Sequence, residues 1–539
     1  MNKFFFTIIG SASVLQMANA QNLQEAITKT ENERFDLAGA EFRQLISKEP
    51  SKGENYFYYG ENFFKNNNPD SALIMYKKGA DAQPTNGLNL VGIGKVLLLQ
   101  GKEADANSNL FKAKTLGVKN ANTLIELADA YITAPTKNPA QAITLLDEAL
   151  KLESKNAEAH ILKGDALLEL HPTEGGPAIK EYEEAQKLNP KSSKAVVRQG
   201  KLWSRSRNYQ LALDKYKEAE KIDPTFAPAY IEKAELYHRA NQDNNAVESA
   251  KKYLELNGNS LYAKGRYAGF LYENKQYADA IKQIEEILQK DTVDAYLYRL
   301  LGYAYDEMGN KTDTAAYTKG SKAMAKFFQK TSNKNFNYIA DDYKHKGILL
   351  SKTGKDSLGV LELQKAIDLD ATKNCELYGE IGKIWMKAKK YDKAIATYEK
   401  LPTCGKTLTG QNYYDLGRAY FYGPKDFVKA DTCFSKLIQV SPPTYPVGYF
   451  WRGKTNVQLD PKNDKWLAKP YYEKALEVVK PEERMANKGN VIEACSYLGY
   501  YYVKLKDNEK AKPYWTIVKE LDPNNEKAKA FFKSLTEGK

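Results

Sequence analysis

Residues Gly448–Thr455 read GYFWRGKT, which fits G-x-x-x-x-G-K-[ST], the spacing of a loop that wraps nucleotide phosphates with backbone N–H groups and reaches them with its Lys. That chemistry requires a strand before the loop and a helix after it, so that consecutive amides are free to point at an anion. Other reactive residue types are sparse. The four histidines, His160, His171, His238 and His345, are scattered, and neither H-E-x-x-H nor G-x-S-x-G occurs. The cysteines, Cys375, Cys404, Cys433 and Cys495, lack the close ligand spacing of a zinc site. Carboxylates are spread over the whole chain, so no pair stands out for acid–base work. These residues predict neither an enzyme nor a metal or cofactor site.

What must position any functional side chain is a repeat. YFYYGENFFKNNNPDSALIMYKKGADAQP, from Tyr56, and YYDLGRAYFYGPKDFVKADTCFSKLIQVSP, from Tyr413, share a large residue, Gly four residues on and an aromatic three further. Later come a small residue, another aromatic and a Pro. Gly or Ala markers recur at Ala26, Gly60, Gly94, Ala128, Gly164, Gly200, Ala234, Ala268, Gly302, Gly347, Gly382, Gly417, Gly453 and Gly499, many of them 34 residues apart. Ala72, Ala178, Ala212, Ala394 and Ala468 precede Tyr76, Tyr182, Tyr216, Tyr398 and Tyr472 by four residues, one turn along the same helix face. Pro84, Pro190, Pro224, Pro442 and Pro523 stand where a second helix must stop.

This pattern resembles the tetratricopeptide repeat, a helix-turn-helix unit of about 34 residues. The resemblance implies an all-α solenoid, a right-handed superhelix in which small residues let paired helices approach to roughly 8–10 Å and aromatics fill the gaps between hairpins. About fourteen units are expected. Residues 1–20 read as a signal peptide, 21–324 as a first array of about nine repeats and 325–339 as an extended helix or bend. A second array of about five spans 340–525, and 526–539 read as a capping helix and tail. Gly453 is then a packing position inside a first helix. Amides there are bonded to carbonyls four residues back, so the phosphate-loop pattern dissolves.

The first residues, MNKFFFTIIGSASVLQMANAQ, have an early cation, an apolar run too short to cross a bilayer and an A-x-A site, which predicts cleavage before Gln21 and export. The periplasm is the favoured destination. The formal net charge of +12 falls by the one charge of Lys3 on cleavage. Because Lys and Arg are interleaved with Glu and Asp, the excess reads as solvated helix faces rather than a nucleic-acid surface.

In the resembled family the first helices line the concave face. Carried over position by position, that face shows a basic stripe at Lys194, Arg198, Lys201 and Arg205, answered either by acids of adjacent units or by an acidic partner. It also shows an aromatic group at Tyr414, Phe421, Phe450, Trp451, Tyr497 and Tyr500, the kind of side chain enriched where proteins meet. Cys375 opens the eleventh unit and Cys404 follows its second helix, so a hairpin returns both to one end. They form a disulfide or remain two thiols. The expected function is a non-enzymatic adaptor of the bacterial envelope that holds protein partners, in outer-membrane assembly or secretion machinery. Binding of glycan or peptidoglycan is the alternative.

Overall fold

The computed structural model describes residues 22–258, 260–290, 292, 294–309, 314–332 and 336–537. The expected signal peptide, 1–20, lies outside them. Among the described residues every regular element is a helix. Most pair into antiparallel hairpins such as Gly53–Lys65 with Pro69–Ala82, and Val447–Leu459 with Lys469–Val478.

Local sequence explains the hairpin. Its turn needs a residue with positive φ, and Asn67, Arg207, Asn241, Lys275, Lys389 and Lys506 supply it seven residues after their Gly or Ala marker, as Gly101 and Gly354 do with φ of 73° and 83°. The next helix is capped from the side. Asn68, Asn138 and Asn208 accept backbone N–H bonds from Ser71, Gln141 and Leu211 at 3.1, 3.1 and 3.4 Å, satisfying donors the first turn leaves open. Pro69 and Pro139 come directly after two of these caps, where no amide is needed.

The markers are small because the aromatic of the second helix lies against them. A Cβ at Gly200 would stand 2.5 Å from Tyr216, and one at Gly499 2.6 Å from Trp515. Tyr76, Tyr182, Tyr216, Tyr398 and Tyr472 are fully buried. At the chain's end, helix Glu526–Glu537 covers the last hairpin, with Phe531 stacked on Trp515 at 5.9 Å.

Backbone contacts divide the chain into two units, Met1–Ala304 and Tyr305–Lys539. The division falls ahead of the segment expected to separate two arrays. Helix Thr314–Thr331 has 18 residues and belongs with the second unit. Phe328 stacks on Tyr338 at 4.8 Å and meets Tyr343 at 5.5 Å, so aromatic packing ties the helix to the hairpin that begins at Ala340.

Candidate functional site

In the first unit the basic stripe lies along helix Ser193–Arg205. Lys194 Nζ donates to Glu158 at 2.5 Å and to Glu31 at 3.0 Å, Arg198 Nε to Asp165 at 2.9 Å, and Lys201 Nζ to Glu232 at 2.7 Å. Burial works against the Lys194 charge, but Glu158 and Glu31 outweigh it and hold the ammonium above its ordinary pKa. Arg205 is exposed in the last turn. Acids of this chain therefore answer three of the four cations.

One of those acids comes from far away in sequence. Glu31, Asn32 and Glu33 lie at the end of the helix over residues 22–31 and in the turn after it. Asn32 Nδ2 donates to Asp223 and Thr225 at 3.2 and 3.4 Å, the Tyr253 hydroxyl donates to Glu33 at 2.5 Å, and Phe35 meets the Tyr262 ring edge-on at 6.4 Å. The start of the described chain thus clasps helices some two hundred residues on. Between them lies a cavity of about 640 Å³.

The same cavity is lined by a second charge group. Lys95, with a side chain 2% exposed, bridges Glu61 at 2.8 Å and Asp129 at 2.7 Å. Glu126 joins them. Burial, and then the Glu61 charge, push its carboxyl up to about 8, so it is largely neutral near pH 7. Oxygens of Glu61, Glu126 and Asp129 lie within 4.8 Å of one another, close enough for a cation, but the Lys95 ammonium already stands between two of them. Sequence reading missed this group although the signal was present. Glu61, Lys95 and Asp129 each come directly after a marker, at 34-residue spacing, and their alternating charges emerge when one repeat position is read down successive units.

In the second unit, Gly448–Thr455 lies within helix Val447–Leu459. The Thr455 hydroxyl donates back to the Trp451 carbonyl at 2.7 Å, and Lys454 pairs with Glu493 at 3.3 Å. The expected aromatic surface divides. Phe450 is fully buried, beneath its own unit's second helix with Ala468 and Tyr472, and faces no groove. Trp451, 9% exposed, stacks on Phe434 at 5.2 Å and is ringed by Tyr414, Phe421 and Tyr422 at 6.0, 5.6 and 6.0 Å. Tyr497 and Tyr500 gather instead around Trp466, at 5.3 and 6.0 Å. Trp466 is a residue the sequence reading passed over. Tyr422 and Tyr500 remain exposed.

Cys375 and Cys404 are joined as a disulfide, Cα–Cα 6.5 Å. Cys433 and Cys495 are buried free thiols, each pushed up to about 12 mainly by burial, which leaves them unreactive. Among the described residues no helix is long and apolar enough to cross a membrane.

Stacked helical hairpins of this kind form a scaffold for protein–protein interaction, a fold typically non-enzymatic. Two family models, each described as tetratricopeptide repeat, match residues 137–170 and 227–260. The C-terminal part of a TPR repeat-containing protein from Cytophaga hutchinsonii is 34% identical, over 50% of this chain and 98% of that one, with a TM-score of 0.43. The chain belongs to the tetratricopeptide-repeat family. Yeast Tom70 is 12% identical over 84% of this chain and 99% of its own, TM-score 0.33. Human IFIT1, as a dimer with PPP-AAAA, is 16% identical over 76% and 94%, TM-score 0.37. No curated protein matches the chain.

Proposed function

We propose that this chain is an exported adaptor of the bacterial cell envelope that holds protein partners on its inner walls, as part of outer-membrane assembly or secretion machinery. The observation that carries the reading is the Cys375–Cys404 disulfide, because such bonds persist in oxidising compartments and are rare in cytosolic proteins. It agrees with the export signature of the first twenty residues. Glycan binding is the weaker reading, because stacking on sugar needs an open aromatic face and Trp451 has one face on Phe434.

Fractionation of cells expressing the full chain, with crosslinking and mass spectrometry of the envelope fraction, tests the proposal. It calls for recovery in that fraction, a chain shortened to begin at Gln21, and stable protein neighbours. A cytosolic, uncleaved chain overturns the export reading. An envelope chain recovered with polysaccharide and no protein overturns the adaptor reading.

A further inference from the structure

Helix Gly410–Tyr422 carries Gln411, Tyr414 and Arg418 at offsets of three and four, on one face. The Arg418 guanidinium lies 5.2 Å from the Tyr414 ring and 5.9 Å from the Trp451 ring. Its Nε is buried without a hydrogen-bond partner. The carboxylate in range, Asp415, stands at 4.0 Å, and its other oxygen already accepts from Gln411 at 2.9 Å.

Two other arginines of this chain are met squarely by carboxylates. Arg452 makes a two-bond fork with Asp431 at 3.0 and 2.7 Å, and Arg198 meets Asp165 at 2.9 Å. Arg418 is held in place by rings with its donors unspent among the described residues. A planar guanidinium presents five N–H groups in a fork that matches a carboxylate, and aromatic walls fix its orientation before an anion arrives. Lys454, on the same Trp451 ring at 5.2 Å, is by contrast already paired with Glu493 at 3.3 Å.

Tyr414 also walls a notch of about 240 Å³, with Leu437, Val440, Pro442 and Tyr445. Val440 and Tyr445 are 52% and 43% exposed. An unspent carboxylate receptor and an open apolar notch therefore share one side chain.

We propose that this face binds an internal segment of a protein partner in which an Asp or Glu neighbours a large apolar residue. The side-chain carboxylate takes the Arg418 fork, and the apolar side chain fills the notch beside Tyr414. The proposal rests on the scaffold reading and specifies the partner's chemistry.

The test uses the mature chain and fluorescein-labelled, end-blocked peptides monitored by polarisation: Gly-Glu-Leu-Phe-Glu-Gly, the same peptide with Gln for Glu, and the same peptide with Ala for Leu and Phe. The Glu-Leu-Phe peptide binds at least about tenfold tighter than either relative, as expected for loss of a charge-assisted fork or of a buried apolar group. Arg418→Gln abolishes the preference for Glu over Gln, and Val440→Glu abolishes that for Leu-Phe over Ala. Lys383→Ala, an exposed cation of the preceding unit, changes neither. Val440 is exposed, so that variant folds even if Arg418→Gln does not.

Equal binding of the three peptides, no binding at millimolar concentration, or a preference retained in both variants overturns the proposal. So does self-association through this face, seen in sedimentation velocity and lost in Val440→Glu. Any of these leaves the scaffold reading to the envelope crosslinking, which fails or succeeds independently.

Discussion

Lys194 Nζ stands 3.0 Å from a carboxylate oxygen of Glu31, although 163 residues separate them. The contact, with Asn32 on Asp223 and Glu33 on Tyr253, closes the start of the described chain over the inner wall of the first unit. A partner that needs that wall must share it with Glu31 or displace it. The Lys194 charge, acting against burial, holds the Glu31 carboxyl below its usual range. That stabilisation is present above the unfolded pKa and is lost as pH falls through the folded one.

Reversing two charges opens the clasp without unfolding the array. Glu31→Lys with Glu33→Lys raises amide exchange across residues 22–48 by about tenfold or more, a loss of at least about 1.4 kcal/mol of local stability. Exchange in helix Gly410–Tyr422 stays constant. Unchanged exchange at 22–48 means that the contacts carry no closing energy.

Glu126 makes the first unit less stable in base. Its carboxyl is raised to about 8 in the folded chain, by burial and by Glu61 and Asp129 against the opposing pull of Lys95 and Lys65. The folded state therefore holds a proton that the unfolded state releases near 4.5, and this group's contribution to stability falls as pH rises from about 4.5 to about 8. Glu126→Gln removes the decline and gains about 1–2 kcal/mol at pH 8.5, with little change at pH 5. Urea unfolding at both pH values checks it.

Gly453 serves packing, so adding one carbon is costly. A Cβ there runs into the Tyr472 ring, and Gly453→Ala loses about 1–3 kcal/mol, read as a lower Tm. Titration of the wild-type chain with Mg·ATP gives no binding heat. A nucleotide-dependent rise in Tm would contradict this assignment of the eight residues.

The Cys375–Cys404 bond closes a loop over a sequence separation of 29. On the chain-entropy account its removal, as Cys375→Ala with Cys404→Ala, costs about 3–4 kcal/mol. The loss falls in the second unit and leaves exchange protection of helices such as Ala121–Thr133 unaltered. Intact mass after alkylation shows two free thiols without reductant and four with it.

What was legible in the sequence was whatever repeats. The Gly or Ala marker, the aromatic against it and the Pro that ends a unit recur because every hairpin solves one packing problem, and the pairing of the two bridging cysteines comes from the same hairpin. Phe450 and Trp451 are adjacent in sequence, yet one is core and the other edges a groove, since a family position fixes a helix phase but not the depth of each neighbour. Glu61, Lys95 and Asp129 were legible only as a column down the repeats. The Glu31–Lys194 contact has no local pattern at all, because it depends on how far the superhelix turns in six units.

The central claim is that the inner walls meet proteins. It is tested most directly by placing a photo-crosslinking amino acid at Tyr422, 48% exposed beside Trp451, and separately at Val428, 66% exposed on the second helix of the same unit, in the full chain in living cells. The account predicts discrete protein adducts from Tyr422 and none from Val428. Adducts from Val428 alone, or no protein adduct from Tyr422, would contradict it.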